Sequence, residues 1–218
     1  MSNAAAPTPS LGTRVTGDVG SPVQQGGVPR PVAAFTTVVG IGCMVVSGLL
    51  FFATGGVSAQ GTPNTQAMLA GGTSGSNMIL WACFLDLFGY LLLAPLAFYL
   101  HRRFRADPLI DLYTAAALAY VFIGALGAII LATASPLLIH EYASSNLAQR
   151  ESIAITFATL NQVVSVGFWQ ILEGIPAGVW LVGIGTILFK AGNRLVAFVP
   201  FILGGFLLLF ALVRIVGF

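Results

Sequence analysis

Long apolar runs separated by short polar segments are the main pattern of the chain. At a rise of about 1.5 Å per residue, an α-helix needs about 20 residues to cross a hydrocarbon core of about 30 Å. Four runs have that length and carry at most one charged residue each. They are 35–55, 78–100, 112–134 and 195–217. The pattern therefore predicts an all-α, polytopic membrane helical bundle.

A fifth apolar region, 152–190, is too long for one straight span and too short for two spans joined by an ordinary loop. Its first half carries Asn161, Gln162 and Gln170, whereas its second half is almost purely apolar. If only 171–190 crosses, seven of the nine basic residues lie on one side; if both halves cross, six do. Because Lys and Arg are enriched in cytoplasmic loops, five spans are favoured, with six as the alternative.

The five-span arrangement has consequences for the orientation of the chain. The amino terminus and the loop around Arg103 would be cytoplasmic, and the carboxyl terminus would lie outside. Residues 152–170 would form an outer amphipathic helix that bends into the span near Pro176. We expect the protein in the inner (plasma) membrane of a cell.

Residues 1–34 differ in composition from the remainder of the chain, which forms the predicted bundle over 35–218. They are rich in Pro, Gly, Ala and Ser and have almost no large apolar residue. Such a segment buries too little surface to offset its chain entropy, so a disordered cytoplasmic arm is predicted. Val57–Ala59 looks like a secretory cleavage site, but the apolar run before it is longer than the 7–15 residues of a signal peptide. An uncleaved anchor is therefore favoured.

Composition agrees with a membrane protein, since 57% of the residues are hydrophobic and only 7% are charged. Soluble proteins average about 25% charged residues. The lipid bilayer is the expected partner, a protein partner or homo-oligomer stays open, and the absence of a basic stripe argues against nucleic acid. Cys43 and Cys83 lie at different depths, which argues against a disulfide, and no motif for a metal or other cofactor is present.

Two acids fall within the apolar regions, Asp86 and Glu173. An intramembrane acid is by default a candidate functional site. Tyr90 lies four residues after Asp86, on the same helix face, and Gln170 is close to Glu173 in sequence. We expect Asp86 to face the interior in its protonated form, hydrogen-bonded to Tyr90, Gln170 or Glu173. Glu173 itself is predicted near the outer interface, solvated or paired with Arg150.

The loop after the second span contains a basic cluster, Arg102, Arg103 and Arg105. Basic residues near a membrane surface attract anionic lipid headgroups, each by about 1 kcal/mol. The cluster is therefore predicted to set topology and to contact headgroups. Trp81 and Trp169 are predicted to lie in the aromatic belt at the membrane boundary.

Two stretches carry a resemblance to a known family. They are FLDLFGYLLLAPLAFYLHRRFR, with Asp86 early in the second span, and GVWLVGIGTILFKAGNRLVAFVPFILGGFLLLF, with the small-residue turn Ala191–Arg194. In span order and in these features, residues 35–215 resemble a bacterial family of five- or six-span membrane proteins that is classed only as a domain of unknown function. The resemblance implies a membrane protein with no established activity.

No catalytic constellation accompanies these features: the sequence has no Ser–His pair in a motif, no histidine cluster and, within the predicted spans, no two acids at helical spacing. A non-enzymatic, accessory or regulatory membrane factor is therefore the favoured function. The alternative is a small transporter or channel that uses Asp86 and Glu173, although the sequence shows no inverted repeat of the kind that many transporters have.

Overall fold

The computed structural model describes residues 27–55 and 63–217, and 89% of these residues are helical. The helices are α1 (Arg30–Ala53), α2 (Thr65–Ala70), α3 (Gly72–Arg103), α4 (Ile110–Ser144), α5 (Leu147–Gln162), a π-helix (Val163–Leu172), α6 (Gly174–Lys190) and α7 (Arg194–Val216). The predicted arm lies outside the described residues up to residue 26, as does the cleavage-like segment Val57–Ala59. Helix α1 begins at Arg30, five residues before the predicted start of the first span.

Within the described residues, five helices are long and apolar enough to cross a membrane. They are α1, α3, α4, the continuous helix Leu147–Lys190 and α7. In hydrocarbon the backbone must bond to itself, which a helix achieves within one segment. The predicted all-α membrane bundle with five spans is thus confirmed, and 152–190 does not divide into two spans.

The fourth spanning helix is irregular in its middle. It runs for 44 residues and contains ten in π-helical geometry. The N–H of Glu173 donates to the carbonyl of Phe168, five residues earlier, at 2.8 Å. Pro176 has no N–H, so the carbonyl of Leu172 lacks its ordinary α-helical donor. The π-helical segment therefore lies just before Pro176, the residue near which the sequence analysis predicts a bend.

The spanning helices pack in the order α1, α3, α4, α6 and α7. Helix α3 lies between α1 and α4, while α6 packs against both α4 and α7. Within the described residues, the backbone of α1 approaches α3 alone, and α7 approaches only α6 and the π-helix. A gap is left between α1 and the α6–α7 pair, with α3 and α4 behind it.

Helices α4 and α5 form a hairpin at one end of the bundle. Asn146 caps α5 by accepting from the N–H of Gln149, whose side chain in turn accepts from the N–H of Asn146. At about 1.5 Å per residue, the 35 residues of α4 extend about 52 Å, well beyond a hydrocarbon core of about 30 Å. Phe157 of α5 is fully buried among residues of α3 and α4. The hairpin therefore continues the packed core past one membrane face.

The opposite end of the bundle carries the basic loops. Lys190 at the end of α6 pairs with Asp107 in the α3–α4 loop at 2.8 Å. The hydrogen bond from Lys190, together with one from the N–H of Leu109, lowers the pKa of Asp107. Asp107 consequently stays ionised at neutral pH, and the pair holds this loop against the end of α6.

Helices α1 and α3 meet at two glycines, Gly40 and Gly89, both buried. A Cβ on Gly40 would lie 2.9 Å from the carbonyl oxygen of Gly89, closer than real Cβ atoms come. Gly42 on the same helix has no atom within 4 Å of its Cβ position. Close helix contact through small residues is the ordinary way that helices associate in lipid.

We expect Gly40→Ala to lower the free energy of unfolding by about 1–3 kcal/mol, because the added methyl overpacks the contact with α3. The matched control is Gly42→Ala, which adds the same methyl to the open face and should be neutral or stabilising by up to about 1 kcal/mol. Unfolding of the purified protein in mixed micelles measures both. Equal losses in the two variants would contradict the α1–α3 contact.

Candidate functional site

A cleft of about 350 Å³ occupies the gap between α1 and the α6–α7 pair. Leu93 and Leu96 of α3 and Tyr120 of α4 line its floor, and Ile41 of α1 lines one wall. The lining is largely apolar, and Glu173 is the one lining residue that carries a carboxyl group. Because α1 packs against α3 alone, the open side of the cleft faces the position of the lipid.

Glu173 is buried at the wall of this cleft, with 8% of its surface exposed. The hydroxyl of Tyr90 donates to both of its carboxylate oxygens, at 2.8 and 2.9 Å. Tyr90 is buried as well and comes from α3, so the bond joins α3 to the fourth spanning helix. The ion pairs among the described residues do not include Glu173.

Aromatic rings surround the Tyr90–Glu173 bond. The ring of Tyr90 packs edge-on against Tyr120 with centroids 5.4 Å apart, and Tyr120 packs against Trp180 at 5.9 Å. Trp169 contacts Phe51 of α1 at 6.1 Å. The Phe51–Trp169 contact lies near the end of α1 at Ala53 and spans the gap there, so the cleft is bounded at that end by aromatic rings.

Two glycines of α4 make room for these rings. A Cβ on Gly124 would overlap the ring of Tyr90, and a Cβ on Gly127 would overlap the indole of Trp169. Their spacing of three residues places both on one helix face. The indole N–H of Trp169 also donates to the carbonyl of Gly124 at 3.3 Å. Trp169 therefore packs against α4, while a place for Trp169 and Trp81 in an aromatic belt stays a prediction.

Asp86 lies one helical turn before Tyr90 and is half-buried. Ser47 of α1 is a polar neighbour of Asp86, and its buried hydroxyl approaches the acid without forming a hydrogen bond of standard geometry. Asp86 and Glu173 lie at similar depth. Asp86 is about 25 Å along α3 from Arg103, and Glu173 is about 25 Å along its helix from Lys190. The two acids thus share one level of the bundle.

The four residues predicted to form one polar site are only partly brought together. Tyr90 donates to Glu173, and no hydrogen bond within the described part of the chain links it to Asp86. The side-chain oxygen of Gln170 is buried without a hydrogen-bond partner. The helical spacing places Tyr90 and Asp86 on one face, but the Tyr90 side chain is long enough to reach the fourth spanning helix.

The predicted surroundings of Glu173 also need correction. Arg150 donates to the backbone carbonyls of Tyr142 and Ala143, at 3.0 and 3.1 Å, and lies over the Tyr142 ring. It therefore does not pair with Glu173. Glu173 is buried within the bundle and is therefore not solvated. Its position near the outer interface stays a prediction.

The basic cluster lies at the end of α3, where Arg102, Arg103 and Arg105 are all exposed. Arg102 and Arg105 line a second cavity of about 370 Å³ together with His101 and Thr114. The ring of His101 is hydrogen-bonded to the hydroxyl of Thr114 at 3.2 Å. Contact between these arginines and lipid headgroups stays a prediction.

Other chemical groups are sparse. Cys43 and Cys83 are both free thiols. Over residues 27–55 and 63–217, no three His, Cys, Asp or Glu side chains lie close enough to hold a metal ion. What the cleft offers chemically is a carboxyl group that accepts hydrogen bonds or balances a positive charge, beside aromatic faces and an apolar floor.

Comparison with known proteins adds no assignment. No family model, no curated protein and no solved structure matches the chain. The family resemblance of the spans and of the turn therefore stays a prediction. The geometry of the cleft is the basis on which a function can be argued.

A double-mutant cycle tests the Tyr90–Glu173 bond. We expect Tyr90→Phe to lower the free energy of unfolding by about 1–3 kcal/mol, because it leaves a buried carboxyl without its donor. Combined with Glu173→Gln, the loss should be clearly less than the sum of the single losses. The control cycle pairs Tyr90→Phe with Asp86→Asn, whose coupling should be clearly smaller because no hydrogen bond joins these two side chains. Stronger coupling to Asp86 than to Glu173 would contradict the observed pairing.

Proposed function

We propose that the protein is a non-catalytic membrane factor, accessory or regulatory in role, that binds a small amphiphilic molecule in the cleft beside Glu173. The observation that carries this proposal is a buried carboxyl group on the wall of an apolar, laterally open cleft. Ligand sites are typically concave and apolar with a few polar groups, and span about 300–1,000 Å³. The cleft, at about 350 Å³, falls within that range.

The position of Glu173 in a spanning helix favours a ligand-binding role over a role in helix packing alone. An acid within a spanning helix is costly to insert, by up to about 2.5–3.5 kcal/mol at the helix centre, and such residues commonly mark ligand or ion sites. Tyr90 offsets part of this cost with one hydrogen bond. A carboxylate has about four lone-pair positions, so acceptor capacity remains for a ligand.

The loose attachment of α1 supports a regulatory role. A ligand in the cleft touches Ile41 and Met44 of α1 as well as Ala177 and Leu181 of α6. It therefore bridges two helices whose backbones do not otherwise approach each other within the described residues. Binding favours the position of α1 that makes those contacts, which is how a ligand shifts a conformational equilibrium.

A small transporter or channel is the second candidate. The observation in its favour is that Asp86 and Glu173 lie at one depth with Tyr90 between them in the bundle. A proton or cation path at this level would use both acids. Flux in proteoliposomes that is abolished by Asp86→Asn and by Glu173→Gln, with folding intact, would favour this function over the first.

We place the protein in the inner (plasma) membrane with a cytoplasmic amino terminus and an external carboxyl terminus. This placement is supported by the basic residues Arg103, Lys190 and Arg194, which lie at the same end of the bundle. Cytoplasmic loops carry the excess of basic residues. A protein partner or a second copy of the chain would pack against the lipid-facing sides of α1 and α7.

Labelling of single cysteines tests this orientation. On a background with Cys43→Ala and Cys83→Ala, we expect Arg103→Cys and Asn193→Cys to be protected from an impermeant thiol reagent in intact cells. Ser145→Cys, at the α4–α5 turn, should be labelled. Labelling at Asn193 with protection at Arg103 would contradict the five-span orientation and support six spans.

Photolabelling tests the ligand site. Decanol that carries a diazirine should label peptides that line the cleft, including those with Ile41 or Trp180. We expect Ile41→Trp, which fills the cleft from its open side, to reduce this labelling at least about fivefold. The matched control Val45→Trp enlarges a lipid-exposed residue of the same helix and should leave labelling unchanged. Labelling spread evenly over lipid-facing residues in all three proteins would contradict a binding cleft.

A further inference from the structure

The chemistry of the cleft indicates which amphiphile it accepts. We infer that the cleft binds a lipophilic amine in its protonated form, with the ammonium group at Glu173 and the apolar body along α6 toward Ile184. This inference rests on the proposed function, because it names the ligand class of the same cleft. It commits to a positively charged head, which ligand binding in general does not require.

Charge is the first argument. Among the described residues that line the cleft, Glu173 alone has a carboxyl group, and none is a lysine or arginine. Its only hydrogen-bond donor among the described residues is the uncharged hydroxyl of Tyr90. An anionic head would be repelled here, whereas an ammonium would supply the counter-charge that the site lacks.

The aromatic residues give the second argument. Tyr120, Trp169 and Trp180 all line the cleft together with Glu173. A cation is attracted to the face of an aromatic ring when it lies within about 6 Å of the ring centre, and Trp is the strongest such ring. A carboxyl group among Tyr and Trp rings is therefore a suitable environment for an alkylammonium head.

The size of the cleft gives the third argument. From Glu173 to Ile184 the cleft follows α6 for about 16 Å, at about 1.5 Å per residue. Liquid water takes about 30 Å³ per molecule, so about 350 Å³ holds roughly a dozen non-hydrogen atoms. Leu93, Leu96 and Leu181 supply an apolar surface along this length. An amine with an alkyl or ring body of about ten carbons fits that space.

A bare metal cation fits the site less well. Hard divalent cations take six or more oxygen ligands in most protein sites. The lining of the cleft provides one carboxyl group and the hydroxyls of Tyr120 and Thr37. The hydroxyl of Thr37 is already bonded to the backbone carbonyl of Ala33 at 2.7 Å. An organic cation needs only one counter-charge and apolar contacts, which the cleft does provide.

Competition against the photoreactive decanol tests the inference in purified full-length protein in uncharged detergent micelles at pH 7. The competitors are decylamine, decanol and decanoate, which share a chain and differ in the head. We expect decylamine to displace the label at least about tenfold more effectively than decanol, and decanoate to be the weakest. In Glu173→Gln the advantage of decylamine over decanol should fall to less than about twofold, with decanol itself still displacing the label.

The variants separate the two proposals. If decanol labels the cleft but decylamine has no advantage, or keeps its advantage in Glu173→Gln, the amine inference is overturned and the ligand cleft remains. If none of the probes labels the cleft in the wild-type protein, both are overturned.

Asp86→Asn keeps Glu173 and serves as the matched control, so the preference for decylamine should persist in it. Should Glu173→Gln fail to fold, Tyr120→Leu and Trp180→Leu still test the cation site, because each should reduce the preference at least about threefold.

Discussion

The hydrogen bond from Tyr90 to Glu173 connects two helices that are not neighbours in packing order. Tyr90 belongs to α3 and Glu173 to the fourth spanning helix, with α4 between them. The tyrosine reaches across because Gly124 leaves α4 without a side chain at that level. One bond therefore fixes the spacing of three spanning helices, and the floor of the cleft depends on that spacing.

The π-helix and the two glycines of α4 both help to place the aromatic side chains around the Tyr90–Glu173 bond. Ten residues of π geometry precede Glu173 and bring both Trp169 and the acid to the interior side of the helix. Gly127 receives the indole of Trp169 as Gly124 receives the ring of Tyr90. π-Helical segments are frequent at functional sites, because they change which side chains face a given neighbour. The π-helical backbone thus contributes directly to the geometry of the polar site.

Much of the architecture could be predicted from the sequence, because lipid imposes a simple rule: about 20 apolar residues per span, with the backbone bonded to itself. The burial of Glu173 was missed because the apolar count started its span near residue 171, whereas the helix begins at Leu147 and packs against α4 before that residue. The partner of Tyr90 was missed because helical spacing describes one helix, and this bond joins two. Gly124 and Gly127 were visible as small residues, but the rings that they receive depend on helix packing.

The two walls of the cleft, α1 and α7, are also the helices with the fewest buried residues in the spanning set. Most of their surface meets acyl chains, so few protein contacts resist their movement apart or together. We therefore expect the width of the cleft to depend on the lateral pressure of the bilayer as well as on packing within the chain. The thickness and acyl-chain order of the surrounding membrane would then influence how a ligand binds beside Glu173.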